Sequence, residues 1–274
     1  MQAPSEEISP LTISISMQTA KKVLSKLLPV LFWIGVWEIA ALRVGNVLLF
    51  PDPPAVLRAL WDLMKTERFY QITATSLFNV LAGILYATVL GIGAAFLTYR
   101  AKALRALTVP LMTVIKATPV ASFIVLTLIW IGSAKVPTLI TFLIVLPVVW
   151  TNLDEGLGRQ DAKLMELTRI YRFSSWRRVR YLTIPTVMPY FISACRTSLG
   201  LAWKAGIAAE IIAMPRGSIG TMIGNAKQYL NTEEMFAWTL TVIVLSLLLE
   251  FLAVALLNRW DKKYAKQEVA DAEH

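Results

Sequence analysis

The sequence predicts an all-α integral membrane protein, with six transmembrane helices and a short cytoplasmic helix between spans four and five. The 274 residues are 56% hydrophobic, with a mean hydropathy of +0.59, whereas soluble proteins are about 45–50% apolar. Apolar segments long enough to cross a bilayer at about 1.5 Å per residue recur along the chain. Lys and Arg cluster between these segments, as topology signals do. These three observations define the fold class.

The charge and the reactive side chains exclude several function classes. The net charge is +9, but the basic residues are spread between apolar segments, so nucleic acid is not an expected partner. Cys195 is the only cysteine and His274 the only histidine, so neither a disulfide framework nor a metal site is expected. The sequence contains no Gly-rich phosphate loop ending in Lys-Ser/Thr. We therefore expect no catalytic residue and no cofactor, and the chain is not expected to be an enzyme.

The first predicted span covers about residues 27–47 and follows a cytoplasmic tail over residues 1–26. The proline-rich break Phe50–Pro54 ends this span, because a helix cannot continue through consecutive prolines. Residues 55–64 repeat apolar side chains at helical spacing, which predicts an amphipathic helix at the outer surface.

The second predicted span, Ser76–Tyr99, carries Ala87, Gly91 and Ala95 at four-residue intervals. Small residues at this spacing allow another helix backbone to come close. The third span covers about residues 107–131 and contains Lys116 and Pro119, which predict an inward-facing charge and a kink.

The second half of the chain supplies the remaining three spans. The fourth covers residues 136–153, the fifth residues 186–214 and the sixth residues 235–257, followed by a polar tail over residues 261–274. An even number of spans and the excess of Lys and Arg on one side place both termini in the cytoplasm.

The polar loop of residues 154–185 is the longest polar segment between two spans. It contains seven basic residues: Arg159, Lys163, Arg169, Arg172, Arg177, Arg178 and Arg180. Within it, Leu164, Leu167, Thr168 and Tyr171 recur at i, i+3, i+4 and i+7, which predicts a short amphipathic helix. Such a helix could dock its apolar stripe in a groove of a partner, or it could lie on lipid headgroups.

This loop resembles the signature loop of permease subunits of binding-protein-dependent ABC importers. In that family Glu-Ala-Ala is followed by Gly and then by Ile-x-Leu-Pro. This chain has Glu166-Leu167-Thr168, Arg172 and Leu182-Thr183-Ile184-Pro185, with the distance from Glu to Pro intact. Both alanines and the glycine are replaced. The resemblance implies that the ATPase-coupling residues are Glu166, Leu167, Arg169, Tyr171, Arg172, Ile184 and Pro185.

Other segments resemble the nitrate, sulfonate and taurine branch of this family. They are Pro51–Pro54, Trp130–Gly132, the stretch LGLAWKAGIAAEII with Trp203 and Glu210, and Gly217–Gly220. The resemblance implies a type I importer fold, with a permease domain over residues 27–260 in a bacterial cell membrane. It also implies a homodimer, two ATP-binding cassette subunits and an extracytoplasmic substrate-binding protein.

Four charged side chains within the spans, and the tryptophan beside one of them, are candidates for a translocation path. An ionised side chain at the bilayer centre costs about 2.5–3.5 kcal/mol on insertion scales, so each should face protein or water. The candidates are Lys116, Arg196, Trp203, Lys204 and Glu210. The alternative is that these charges pair between helices, with Glu38, Glu210 or Glu250 as the acids.

The sequence therefore predicts a transport subunit for a small nutrient, since a positive set of intramembrane groups favours a small anion such as a sulfonate. Relatives also carry uncharged heterocycles, which leaves the substrate open. A secondary carrier that uses intramembrane charges without an ATPase is the alternative function. An intramembrane enzyme is disfavoured, because no His-Glu-x-x-His pattern occurs and no histidine lies within a predicted span.

Overall fold

The computed structural model describes the backbone of residues 10–272 and the side chains of residue 25 and residues 27–256, and all regular structure in this part is helical. The helices are α1 (Pro10–Val44), α2 (Pro53–Met64), α3 (Glu67–Arg100), α4 (Lys102–Ala117), α5 (Val120–Ile131), α6 (Val136–Gly158), α7 (Ala162–Ile170), α8 (Ser175–Arg178), α9 (Ile184–Ala213), α10 (Ile219–Gln228) and α11 (Thr232–Ala272). A 3₁₀ turn (Ser133–Lys135) precedes α6, and a π turn (Val179–Thr183) joins α8 to α9.

Four segments of the described chain are long and apolar enough to cross a membrane. They are Leu27–Val44, Glu67–Arg100, Ser133–Gly158 and Thr232–Leu256. Helices α4 and α5 would together form a fifth. These segments match predicted spans one, two, four, six and three, in that order.

The predicted third span is broken and not merely kinked. Helices α4 and α5 meet at an angle of 103°. Thr118, which precedes Pro119, has an extended backbone with φ −76° and ψ 130°. The proline ring disfavours the helical conformation of the residue before it, so α4 ends there. The sequence correctly located this interruption but underestimated its angle.

The core is a layer of three helices in which α6 packs between α3 and α9. Ala87, Gly91 and Ala95 are all buried, which confirms the predicted close approach of another helix to α3. A Cβ atom added at Gly91 would lie 2.8 Å from Val149 Cγ1 of α6. The helix pair therefore depends on small side chains at these positions.

Helix α9 is not among the segments that pass the hydropathy test, although the sequence predicts it as span five. It packs against α6, α3, α5, α10 and α11, so protein surrounds much of its surface. A helix in this position needs less lipid-facing apolar surface and can carry polar groups, because neighbouring helices supply their partners.

The first and last helices of the chain extend into the regions that the sequence analysis predicted as polar tails. Helix α1 begins at Pro10, within the predicted N-terminal tail, and α11 continues to Ala272. A proline is tolerated in the first turn of a helix, where its missing N–H has no intrahelical acceptor. Residues 1–9 and 273–274 of the two predicted tails lie outside the described residues.

Candidate functional site

The predicted amphipathic helix of the polar loop corresponds to α7, which has a defined beginning and end. The Asp161 side chain caps its N-terminus by accepting a hydrogen bond of 2.8 Å from the Lys163 backbone N–H. At the other end, Phe173 N donates to Thr168 O and Arg172 N donates to Arg169 O. This pair of bonds is a Schellman motif, which normally places a glycine at the position held here by Arg172.

Arg172 adopts the left-handed conformation, with φ 51°. It stands at the glycine position of the signature loop, so the structure explains the glycine of that pattern in physical terms. A side chain at this backbone conformation costs about 1–2 kcal/mol, because Cβ approaches the following carbonyl oxygen. Arg172 therefore ends the helix at some cost in local stability.

We expect the substitution Arg172→Gly to stabilise α7 by about 1 kcal/mol, since glycine removes the Cβ clash. Amide hydrogen exchange over residues 162–173 should slow by about fivefold. Arg169→Gly is the matched control, because it places glycine inside the helix, where it should cost about 1 kcal/mol and speed exchange. Faster exchange in Arg172→Gly would contradict this account.

The apolar face of α7 is exposed to solvent. Leu164 is 46%, Leu167 45%, Ile170 67% and Tyr171 72% exposed, and no described helix packs extensively against them. Thr168, the fourth residue of the predicted stripe, is half-buried, and its hydroxyl bonds the Met165 carbonyl. An amphipathic helix with an open apolar face is a structure that can dock in a groove.

Glu166 and Arg169, both exposed, form no ion pair in the described chain. The sequence suggested that Glu166 could pair with Arg169 one turn further on, and the structure shows no such contact. These two charged side chains of α7 are both exposed to solvent instead.

Pro185 lies in the first turn of α9, as predicted, but the backbone before it is already helical. Residues of α8, the π turn and α9 form one continuous helical run, in which Ile184 N donates to Val179 O. A proline within a helix has no N–H and presses on the carbonyl four residues earlier, so a wider π turn accommodates it. Ile184 and Pro185 therefore mark a π turn, and the loop joins α9 without a sharp corner.

Glu210 lies at the opposite end of α9 and is completely buried, with 0% exposed. Its Oε2 atom accepts hydrogen bonds from Ser76 Oγ of α3 at 2.8 Å and from the Gly220 backbone N–H of α10 at 3.0 Å. No basic side chain of the described chain forms an ion pair with it. The carboxylate joins three helices.

The hydrogen-bond donors at the start of α10 are all used. Ile219 N donates to Ser76 Oγ at 2.9 Å, and Thr221 N donates to the N-cap Ser218 Oγ at 3.3 Å. Gly220 packs directly on Glu210, because an added Cβ would contact Glu210 Cβ and lie 2.6 Å from Ile211 N. A carboxylate at a helix N-terminus is stabilised by the exposed N–H groups and the helix dipole. Glu210 therefore anchors α10.

The other path candidates lie in two different environments. Trp203 is buried and donates to the Val242 carbonyl of α11 at 3.1 Å. Lys116, Arg196 and Lys204 are exposed. Lys116 Nζ bonds Thr151 Oγ1 of α6 at 2.7 Å, and Lys204 makes no hydrogen bond or ion pair with a described residue. For Lys116, pairing with an acid is therefore not seen in the described chain.

Several contributing residues were not identified from the sequence. Ser76 and Ser218 complete the Glu210 cluster, and Asp154 pairs with Arg105 of α4 at 2.7 Å. The pattern Ser218-Ile219-Gly220-Thr221 carries a recognisable N-cap signal. Ser76 has none, because a single hydroxyl in an apolar helix usually bonds its own backbone.

An all-α chain with several helices long and apolar enough to cross a bilayer is a multi-pass membrane protein, and this one also carries a capped, exposed polar-loop helix. The chain belongs to the family of binding-protein-dependent transport system inner membrane components, whose model matches residues 87–266. The resemblance to permeases of the nitrate, sulfonate and taurine branch is confirmed.

Three curated relatives illustrate this similarity. A Bacillus subtilis protein named as an aliphatic sulfonates transport permease protein, SsuC, is 26% identical over 74% of this chain and 74% of its own. The taurine transport system permease protein TauC of Escherichia coli is 26% identical over 81% of this chain and 83% of its own. The bicarbonate transport system permease protein CmpB of Synechococcus elongatus is 28% identical over 70% and 69%.

Proposed function

We propose that this chain is the permease subunit of an ATP-driven importer and forms the path for a small nutrient. The relatives named above for sulfonates, taurine and bicarbonate favour a small anion, and the exposed cations Arg196 and Lys204 agree with this charge preference. An extracytoplasmic substrate-binding protein delivers the substrate, and two ATP-binding cassette subunits supply the energy.

The observation that carries the proposal is the exposed apolar face of α7, formed by Leu164, Leu167, Ile170 and Tyr171. Burying such a face in a partner lowers the free energy by about 25 cal/mol per Å² of apolar surface removed from water. The basic residues around it favour the cytoplasmic side. We assign α7 as the coupling helix, docked in a groove of the ATP-binding subunit.

The proposed topology has six spans with both termini in the cytoplasm. Helix α9 is the fifth span, and α4 with α5 forms the third. Leu126, Ile129 and Trp130 of α5 present an apolar surface that is exposed in the single chain. We assign this surface to the contact with a second copy of the permease.

The continuous run from α8 to α9 gives a route for force. A helix of 30 residues is about 45 Å long at 1.5 Å per residue, so α9 can connect the coupling loop to the opposite surface. When the ATP-binding subunits close, the two α7 helices approach each other and α9 tilts. Because Glu210 joins α9 to α3 and α10, these helices move with it and open the path.

Leu167→Asp tests the coupling assignment. In vesicles containing the permease, the ATP-binding subunit and the binding protein, we expect substrate uptake to fall at least about tenfold, since a charge in an apolar contact is poorly tolerated. Leu167 is half-exposed, so the permease itself should fold. Ala162→Asp introduces the same charge on the opposite face of α7 and should retain uptake.

Two results would contradict the assignment. One is wild-type uptake by Leu167→Asp with the ATP-binding subunit still bound. The other is substrate uptake by vesicles that contain this chain alone, which would support the secondary carrier.

A further inference from the structure

A second site lies at the end of the molecule opposite α7. A cavity of about 540 Å³ opens between the junction of α2 and α3 on one side and α10 with the start of α11 on the other. This volume is within the range of about 300–1,000 Å³ that is usual for small-molecule sites. None of the coupling or path residues lines the cavity.

The floor of the cavity is apolar and well ordered by packing. Phe69 and Trp238 are buried and stack with their ring centroids 5.2 Å apart. Trp238 Nε1 donates to Glu234 Oε1 at 3.2 Å. Met222 extends this apolar surface along α10. The floor can therefore hold the hydrocarbon part of a ligand.

The wall of the cavity carries two side-chain donors that bond no described residue. Arg68 makes no hydrogen bond or ion pair, and the Asn225 side chain makes no hydrogen bond, with any residue that the structure describes. Arg68 also lies in the first turn of α3, after the N-cap Thr66. A cation is unfavourable there, because it faces the positive end of the helix dipole.

The carboxylate in the wall of the cavity, that of Glu234, already accepts hydrogen bonds from neighbouring side chains. Glu234 accepts from Asn231 Nδ2 at 2.9 Å through one oxygen and from Trp238 Nε1 through the other. Asn231 in turn accepts from Glu234 N at 3.2 Å, which forms a cap at the start of α11. The negative charge of Glu234 is thus held at a helix N-terminus, while the charge of Arg68 remains available.

We propose that this cavity binds a molecule that combines an acidic group with a short apolar body. The acidic group bonds the Arg68 guanidinium and the Asn225 amide, and the apolar body rests on Phe69, Trp238 and Met222. Charge-assisted bonds from guanidinium to an anion are the strong ones in proteins. The acidic group belongs either to a soluble organic anion or to a phospholipid headgroup, since both present oxyanions to a guanidinium. This site is independent of the proposed coupling function.

The test measures binding of two probes to the purified full-length chain in an uncharged detergent, by titration calorimetry. Butanesulfonate represents the soluble anion, and dihexanoyl phosphatidylglycerol represents the lipid. For whichever of the two probes binds the unmodified chain, we expect Arg68→Gln to weaken binding at least about tenfold. Asn225→Leu should weaken it by a smaller factor. Arg58→Gln is the matched control, because Arg58 is an exposed arginine of α2 outside the cavity.

The outcomes separate the two sources and decide the proposal. Binding of butanesulfonate alone identifies a soluble organic anion as the ligand, and binding of the phosphatidylglycerol alone identifies a lipid headgroup. The proposal is overturned if the unmodified chain binds neither probe. Equal affinity of Arg68→Gln and the unmodified chain, or equal losses in Arg58→Gln and Arg68→Gln, would also overturn it.

Discussion

Replacing Glu210 with alanine should lower the free energy of unfolding by about 2–6 kcal/mol. The substitution leaves the Ser76 hydroxyl and the Gly220 N–H without their shared acceptor in a buried site, and each unsatisfied buried group costs about 1–3 kcal/mol. Thermal and denaturant unfolding of the purified chain in detergent measures the change. Transport by the assembled complex should be lost as well, since α10 is no longer anchored to α9.

Two further variants make this prediction specific. Glu250→Ala removes an exposed carboxylate of α11 and should change stability by less than about 0.5 kcal/mol. Ser76→Ala should cost less than Glu210→Ala, because it leaves one buried donor, the Ile219 N–H, without its acceptor, while Glu210 keeps its bond to Gly220. The double variant should show a coupling energy of about 0.5–3 kcal/mol, as groups in one hydrogen-bond network do. Additive effects would show that Ser76 and Glu210 act separately.

Two glycines of α3 should respond in opposite directions to the same substitution. A Cβ added at Gly83 would lie 2.6 Å from the Thr138 carbonyl oxygen and 2.7 Å from Thr141 Cβ of α6, whereas at Gly93 no atom of a described residue lies within 4 Å. The first contact involves backbone, so no rotamer change relieves it. Gly83→Ala should cost about 1–3 kcal/mol by overpacking, and Gly93→Ala should gain up to about 1 kcal/mol from helix propensity.

Unfolding of the two variants side by side checks the packing of α3 against α6. The common change in helix propensity cancels in the comparison, so the difference between them measures the contact. A stabilising effect of Gly83→Ala would mean that α3 and α6 are further apart than the structure shows.

Much of the fold follows from local signals in the sequence. Apolar segments of sufficient length located most of the helices, the proline-rich stretch Phe50–Pro54 marked the break before α2, and Pro119 marked the interruption between α4 and α5. The structure begins α2 at Pro53, two residues before the predicted helix. The spacing of Leu164, Leu167 and Tyr171 predicted α7, and the small residues of α3 predicted its close contact with another helix. These features depend on neighbours within one or two turns, which the sequence displays directly.

The environment of each charged residue could not be predicted in the same way. Glu210, Lys116 and Lys204 all appear as charges within apolar segments of the sequence. In the structure, Glu210 of α9 is buried against the first turn of α10, whereas Lys116 bonds Thr151 of α6 and Lys204 is exposed. The partner of Glu210 in α3 is 134 residues away. Nothing in the local pattern around Ser76 or Glu210 identifies the other.

The sequence by itself determined that this chain is an all-α membrane protein of the importer permease family, and where its amphipathic polar-loop helix lies. Hydrophobicity and helical spacing depend on residues that are close in the chain, so both can be recognised from the sequence without a structure. Only the tertiary structure decided that Glu210 anchors α10, that α4 and α5 meet at 103°, and that a cavity lies opposite α7 whose Arg68 pairs with no described residue. Burial and hydrogen-bond partners arise where distant helices meet, because packing brings together groups that the sequence separates.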